Sequence, residues 1–240
     1  MDQLVEIKSK IQINPSRVGK KYFIKTFGCQ MNEHDSERIS GMFELDGMSK
    51  ASSEEFADIL FVNTCTIREN ADDKLYGTLG HLKQWKSERN NRRLLVGGCA
   101  AQKDKELVRE KAPWVDVVMG THNLTDVVNL LNRSEDWGPI TEIIEEIENL
   151  PTEAPSIRES EYSAWLTIQI GCNNSCTFCI VPSVRGHEIS RRPSDIVNEA
   201  NKLVQEGVKE ITLLGQNVNS YGRDLRIEGK PRPYFSQLLE

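Results

Sequence analysis

From Lys21 to Leu131 the chain alternates short apolar runs with segments of helical period, and nothing else in the sequence constrains the fold as tightly. Tyr22–Thr26, Asp58–Val62, Leu94–Val96 and Val115–Met119 read as buried strands. Between the first two, Asn32–Asp46 carries Ile39, Met42 and Phe43 at helical spacing and stops at Gly47. Residues 71–85 put Leu75, Leu79 and Leu82 on one face, with Asp72 and Asp73 in the first turn, where the helix dipole favours acids. Asp104–Lys111, ended by Pro113, and Leu124–Leu131 supply the later helices. Strands alternating with helices predict an α/β domain: a parallel sheet covered on both faces.

The alternation breaks once. Residues 138–164 form an acidic linker. From Ser134 to Tyr162 there are nine acids and one base, Arg158, with Pro139, Pro151 and Pro155 as breakers. This stretch accounts for the net charge of −6 and leaves the rest of the chain slightly positive. A strongly basic surface is thereby excluded, whereas a nucleic-acid partner is not. Residues 1–20 read as an N-terminal tail with a frayed helix over Leu4, Ile7 and Ile11 and a breaker at Pro15, and 21–137 as the first domain. Residues 165–240 begin a second βαβ unit. Trp165–Ile170 is a strand, Ser194 caps a helix with Ile196, Val197, Ala200, Leu203 and Val204 inward, Gly207 ends it, and Glu210–Leu214 is the next strand. Phe235–Glu240 opens a further helix. A β-α-β unit exposes a sheet edge that needs more strands, so the 240 residues are expected to be part of a longer parent. No run approaches the ~18 apolar residues of a membrane span. Asp2, Glu6, Lys8 and Lys10 interrupt the N-terminus, which therefore lacks the apolar core of a secretory signal. The expected compartment is the cytoplasm.

Six cysteines in such a chain point to metal or redox chemistry before disulfides. Cys29, Cys65 and Cys99 each follow an expected strand by three residues. All C-terminal ends of a parallel sheet lie on one edge, where ligands bind. Thiols 36 and 34 residues apart in sequence can therefore converge there, with Gly28, Gly97 and Gly98 relieving the crowding. The bland alternative is three small buried core residues. The second set, Cys172, Cys176 and Cys179, lies on one tight loop directly after a strand with C-x3-C-x2-C spacing. Three thiolates on a four-iron cluster leave one iron open, unlike a four-cysteine ferredoxin site. A three-cysteine zinc site, with His187 as the nearest fourth ligand, is the competing use.

C-x3-C-x-aromatic-C after a strand resembles the signature of radical S-adenosylmethionine (SAM) enzymes. The blocks 26–33 (TFGCQMNE), 63–70 (NTCTIREN), 97–102 (GGCAAQ) and 213–221 (LLGQNVNSY) resemble the radical SAM methylthiotransferase family, most closely its MiaB-type tRNA branch. The resemblance runs from about Lys21 to Glu240. Ala100 and Ser183 depart from residues common in that family, Met and Tyr, and neither touches a cysteine. The resemblance implies a flavodoxin-like N-terminal methylthiotransferase domain followed by the first β-α-β unit of a radical SAM partial TIM-type barrel. It implies two [4Fe–4S] clusters, one on Cys172, Cys176 and Cys179 that binds SAM, and an auxiliary one on Cys29, Cys65 and Cys99 that presents sulfur. Phe178 would pack near the SAM adenine, and Gly215, Gln216 and Asn217 would face SAM from the end of the second barrel strand. The implied substrate is N6-isopentenyladenosine beside the anticodon, in the anticodon stem-loop of tRNA, methylthiolated at C2. The implied partners are an electron donor such as flavodoxin or ferredoxin and a sulfur donor; no membrane is involved and the enzyme is a monomer. Arg185, Arg191 and Arg192 are candidate phosphate contacts, and Asn32, Asn63 and Asn70 candidate hydrogen-bonding groups around the auxiliary site. Sibling methylthiotransferases acting on threonylcarbamoyladenosine in tRNA or on a ribosomal-protein aspartate, and a non-catalytic Fe–S or zinc scaffold, are the alternatives.

Overall fold

The computed structural model describes residues 13–66, 71–147, 155–225 and 234–240. Contacts divide them into two compact units. The first takes in the chain up to Glu146 together with 155–157, and the second runs from Arg158 onward.

The first unit is a six-stranded sheet, parallel throughout. Its strands are β1 (Lys21–Thr26), β2 (Ser49–Lys50), β3 (Ile59–Thr64), β4 (Arg93–Gly98), β5 (Val117–Met119) and β6 (Ile140–Glu142), in spatial order β2-β1-β3-β4-β5-β6. The first five follow the flavodoxin-like order, whose direction reverses between β1 and β3. Successive residues of a strand point to opposite faces, and here both faces are apolar. Leu60, Val62, Leu94, Val96 and Val118 point to one side, where they meet Leu75, Leu79, Leu82 and Trp85 of α2 (Ala71–Ser87) and residues of α3 (Cys99–Asp104) and α4 (Leu107–Lys111). Tyr22, Ile59, Phe61, Leu95, Val117 and Met119 point to the other, against Ile39, Met42 and Phe43 of α1 (Gln30–Leu45) and Val127, Val128, Leu130 and Leu131 of α5 (Val127–Trp137). A sheet buried on both sides needs the near-continuous apolar strands seen in the sequence.

Several elements differ from the sequence reading for identifiable reasons. β6 lies inside the stretch read as a linker. It pairs with β5 through only three residues, too short a run to stand out among the acids around it. The helix expected over Asp104–Lys111 is two helices, broken at Lys105, the one described non-glycine residue with positive φ (+51°). Residues 13–20 do not behave as a tail. Arg17 is fully buried, its Nε 2.5 Å from Asp46 and its Nη1 2.7 Å from Glu135, and Nη2 donates to Asn132 Oδ1. Leu4, Ile7 and Ile11 lie outside the described residues.

In the second unit β7 (Ser163–Thr167) pairs in parallel with β10 (Glu210–Leu214), and α7 (Pro193–Gln205) connects them. The strand expected over Trp165–Ile170 divides at Ile168. The Ile168 amide still donates to Leu214 O at 2.9 Å, but its carbonyl accepts from Arg191 N, and the chain passes to β8 (Gln169–Ile170), antiparallel to β9 (Ile189–Ser190). Leu166, Ile168, Ile196, Tyr221 and Tyr234 form its core. Helix α7 is capped at Arg192 with Pro193 in its first turn, so Ser194 is the second residue of that turn rather than the cap, hydrogen-bonded to Asp195. Of the five residues expected inward, Ile196 and Leu203 are buried, whereas Val197 and Val204 are 48% and 59% exposed. Helices α6 (Val181–Arg185) and α8 (Phe235–Leu239) complete the unit. Among the described residues no helix is long and apolar enough to cross a membrane.

Candidate iron–sulfur sites

The C-terminal edge of the first sheet carries three thiols. Cys29 is the N-cap of α1, three residues beyond β1. β3 and β4 run two residues further than their apolar cores indicate, so Cys65 and Cys99 follow them directly and the equal offset of three does not hold. The extra residues are Asn63-Thr64 and Gly97-Gly98, too polar or too small to read as strand, and they pair with each other across the ladder. Cys65 and Cys99 are buried and Cys29 is partly exposed; none of the six cysteines forms a disulfide.

A polar lattice joins these strand ends. Asn32 Nδ2 donates to Asn63 Oδ1 at 3.2 Å and to Thr64 O at 2.9 Å. Asn63 Nδ2 donates to Asn32 O at 2.8 Å and Ser36 Oγ at 2.9 Å. Cys29 Sγ is 3.4 Å from Asn32 Oδ1. Thr64 Oγ1 donates to Gly97 O at 2.6 Å and accepts from the amides of Ala100 and Ala101 at 3.1 and 3.3 Å. The hydroxyl thus caps the first turn of α3 from a neighbouring strand, a role that glycine at the N-cap, Gly98, cannot fill. Gly98 has φ +91°, and a Cβ there would run into Asn63 Oδ1 and lie 2.6 Å from the Thr64 carbonyl. Two of the three asparagines singled out in the sequence therefore belong to the site; Asn70 lies outside the described residues. Thr64 and Ser36 were not singled out. Their signal was a polar pair closing an otherwise apolar strand, and a serine one helical turn beyond Asn32.

Beside this lattice, Gln102 of α3 is held by the loops after β5 and β6. Its Oε1 accepts from Thr121 N at 3.0 Å and its Nε2 donates to Ile144 O at 3.2 Å. The helix that begins with Cys99 is thus fixed at both ends.

The second set lies on the loop after β8. Cys172 is buried and its amide donates to Gly186 O at 3.1 Å; Cys176 is exposed and Cys179 partly so, with Cys179 N donating to Cys176 O at 3.1 Å. Gly171 (φ +72°) lets the strand turn into this loop directly beneath the backbone of Gly186 and His187, against which any Cβ would clash. Asn173 Oδ1 accepts from Glu188 N and pairs with His187 Nδ1, both at 3.1 Å, tying the loop to β9. Phe178 projects from the loop, 96% exposed. Gly215, Gln216 and Asn217 follow β10, and a Cβ on Gly215 would sit 3.6 Å from Gln169 Cβ of β8. Arg191 is buried, its Nη1 donating to Thr167 O at 2.8 Å and its Nη2 2.6 Å from Glu199, and Arg185 is buried as well. These two are frame residues; of the basic run only Arg192 is exposed.

Among the described residues no three His, Cys, Asp or Glu side chains are drawn close enough together to hold a metal ion. The fold therefore gathers three cysteine loops at one sheet edge, and three cysteines on one loop, without closing either set on a point. The donors are all sulfur, which suits soft metals and iron–sulfur clusters.

The family model described as uncharacterized protein family UPF0004 matches residues 21–120, and that of the Radical SAM superfamily matches residues 166–230. The chain is 53% identical over 223 residues to the tRNA-2-methylthio-N(6)-dimethylallyladenosine synthase of Nocardia farcinica, covering 92% of this chain and 44% of that protein. It is 52% identical over 234 residues to the protein of the same name from Leifsonia xyli subsp. xyli, covering 97% and 43%. It thus spans less than half the length of these curated relatives. Among solved structures it resembles the radical S-adenosylmethionine methyltransferase TsrM of Kitasatospora setae. With tryptophan and a SAM analogue bound, that protein matches at TM-score 0.56 and 12% identity, over 92% of this chain and 50% of the other. With cobalamin and a [4Fe–4S] cluster bound, it matches at TM-score 0.54 and 11% identity. At such identities the likeness is one of fold.

Proposed function

The chain belongs to the family of the tRNA-2-methylthio-N(6)-dimethylallyladenosine synthases, and from that premise we propose that it serves the radical-SAM methylthiolation of N6-isopentenyladenosine beside the tRNA anticodon. Cys172, Cys176 and Cys179 would hold one [4Fe–4S] cluster, and Cys29, Cys65 and Cys99 a second. Three thiolates leave one iron of each open, to SAM in the first and to sulfur in the second. Such a cluster, with SAM, supplies the radical chemistry that removes hydrogen from an unactivated aromatic carbon, which no side-chain acid or base can do. Gly215, Gln216 and Asn217 would line the SAM site from the end of β10, and Phe178 would cover the adenine. tRNA, an electron donor such as flavodoxin or ferredoxin, and a sulfur donor are the expected partners of a monomer working in the cytoplasm.

What supports this reading above all is the placement of the six thiols. One set leaves three strand ends of a parallel sheet in the UPF0004 region, and the other lies on one loop at the start of the radical SAM region.

The test is mass spectrometry of nucleosides from isopentenylated tRNA after anaerobic incubation with reconstituted protein, SAM, sulfide and a reductant. Both this chain and a version extended to the relatives' length should be assayed. The 2-methylthio derivative should form with the extended version, and only poorly with the 240-residue chain. Reconstituted chain should bind about eight irons, and about four after Cys172, Cys176 and Cys179 are changed to Ala. Zinc at one equivalent with no iron, or no modified nucleoside from the extended version, would overturn the reading.

A further inference from the structure

The auxiliary thiols come from three segments distant in sequence, so something must fix their mutual spacing. We propose that Thr64 and Asn63 are positioning residues for the Cys29–Cys65–Cys99 site: together they form a tie bar across three strand ends that sets the thiol spacing before any cluster is present. The proposal rests on the assignment of those cysteines to an auxiliary cluster.

The geometry is specific. Asn63 and Thr64 immediately precede Cys65 on β3, the strand between those that lead to Cys29 and Cys99. On one side, Asn63 and the Thr64 carbonyl hold Asn32, whose Oδ1 lies against Cys29 Sγ. On the other, the Thr64 hydroxyl makes three hydrogen bonds, to Gly97 O and to the amides of Ala100 and Ala101, which enclose Cys99. Asn63 and Thr64 are each about 1% exposed, so water does not substitute for these bonds. The strand ladder runs through backbone groups and does not itself need the hydroxyl, so what the hydroxyl holds is the first turn of α3, the turn that begins with Cys99. A buried hydroxyl kept in an apolar strand, spent on the two residues after Cys99, is the mark of a positioned ligand. Groups that orient metal ligands in this way commonly carry a 10–100-fold effect on metal affinity.

The experiment uses the 240-residue chain with Cys172, Cys176 and Cys179 changed to Ala, so that only the auxiliary site remains. In this parent, Thr64→Val, Thr64→Ser and a distant core variant, Leu131→Ala, are compared after anaerobic reconstitution. Iron per chain, the electron paramagnetic resonance spectrum of the reduced cluster and the rate of iron loss to a chelator are read, alongside the urea midpoint. Thr64→Val should lose iron roughly 10-fold faster than the parent and broaden or shift the resonance. Thr64→Ser should restore both. Leu131→Ala should lower the urea midpoint but leave the spectrum unchanged. If Thr64→Val did not fold, Asn32→Ala is read in the same way and should also release iron faster. A spectrum and chelation rate equal to the parent's in the folded variant, or an equal change in Leu131→Ala, would overturn the proposal. A parent that binds no iron would instead overturn the cysteine assignment on which it rests.

Discussion

At the scale of single residues, the sequence offers the cysteines as candidates through their distance from the expected strands, although the offset of three holds only for Cys29, and it does not offer all the polar groups around them. Asn63-Thr64 reads as the fraying end of a strand, and only the observed register, Asn63 opposite Gly97 and Thr64 opposite Gly98, shows that it lies between the segments that carry Cys29 and Cys99. Gly98 was legible as a relief of crowding, and its role is now specific. Gly98→Ala would need a strained φ of +91° and would displace Asn63 and Thr64, so we expect a loss of about 1–3 kcal/mol in urea unfolding, with poorer iron retention. Tyr22 gives a pH prediction. It is buried, its hydroxyl donates to Glu44 Oε1 at 3.0 Å, and burial, with the Glu44 carboxylate adding to it, pushes its pKa up from 10.0 to about 12. The folded state thus holds the phenol proton more tightly than the unfolded state. That contribution is complete below pH 10 and is lost as the pH rises from 10 to about 12. The urea midpoint of the chain should fall more steeply across that window than that of Tyr22→Phe; equal slopes would refute the assignment.

At the scale of elements, periodicity found the long helices and the apolar strands, and missed wherever a short or polar piece depended on its neighbours. β6 is a strand because β5 offers an edge, with Gly120 N donating to Glu142 O at 3.3 Å, and no local signal in an acidic stretch announces that edge. Helix α7 shows the opposite error. Its apolar residues invite an all-inward reading, but a helix has one buried stripe, and two strands give it a narrow seat. Ile196 is 3% exposed and Val204 is 59% exposed. Ile196→Ala should therefore destabilise the second unit by about 2–4 kcal/mol, whereas Val204→Lys should change its stability by no more than about 0.5 kcal/mol. Chemical denaturation of the purified chain measures both, and an equal cost for the two would return α7 to the fully inward reading.

At the scale of the whole molecule, the sequence marked two regions by the acidic break but not how the chain is shared between them. Residues 155–157 belong with the first unit, where Ile157 N donates to Glu37 O at 3.0 Å and Ser156 Oγ lies 3.4 Å from Glu37 Oε2. An acidic, proline-containing stretch predicts only solvation, so this return to α1 had no local signal. The two units are built to different standards. The first has six parallel strands sealed by apolar clusters on both faces. The second has two pairs of strands and a smaller core, and a two-stranded sheet is marginal without further strands or a large apolar face. The cysteines report on this directly, because one set lies in each unit. Cys65 and Cys99 are 5% and 1% exposed, and Cys172 is 8% exposed, so all three resist a thiol reagent in the folded chain. With rising urea, Cys172 should become reactive first, at a midpoint roughly 1 M or more below that of Cys65 and Cys99. Pulsed alkylation under reducing, metal-free conditions, with peptide mass spectrometry to assign each site, gives the two curves. Reconstitution with iron and sulfide should then raise the Cys65 and Cys99 curve, because a group that binds only the folded unit stabilises it by mass action. A single shared midpoint would mean that the two units unfold as one, and that the small sheet draws its stability from the large one.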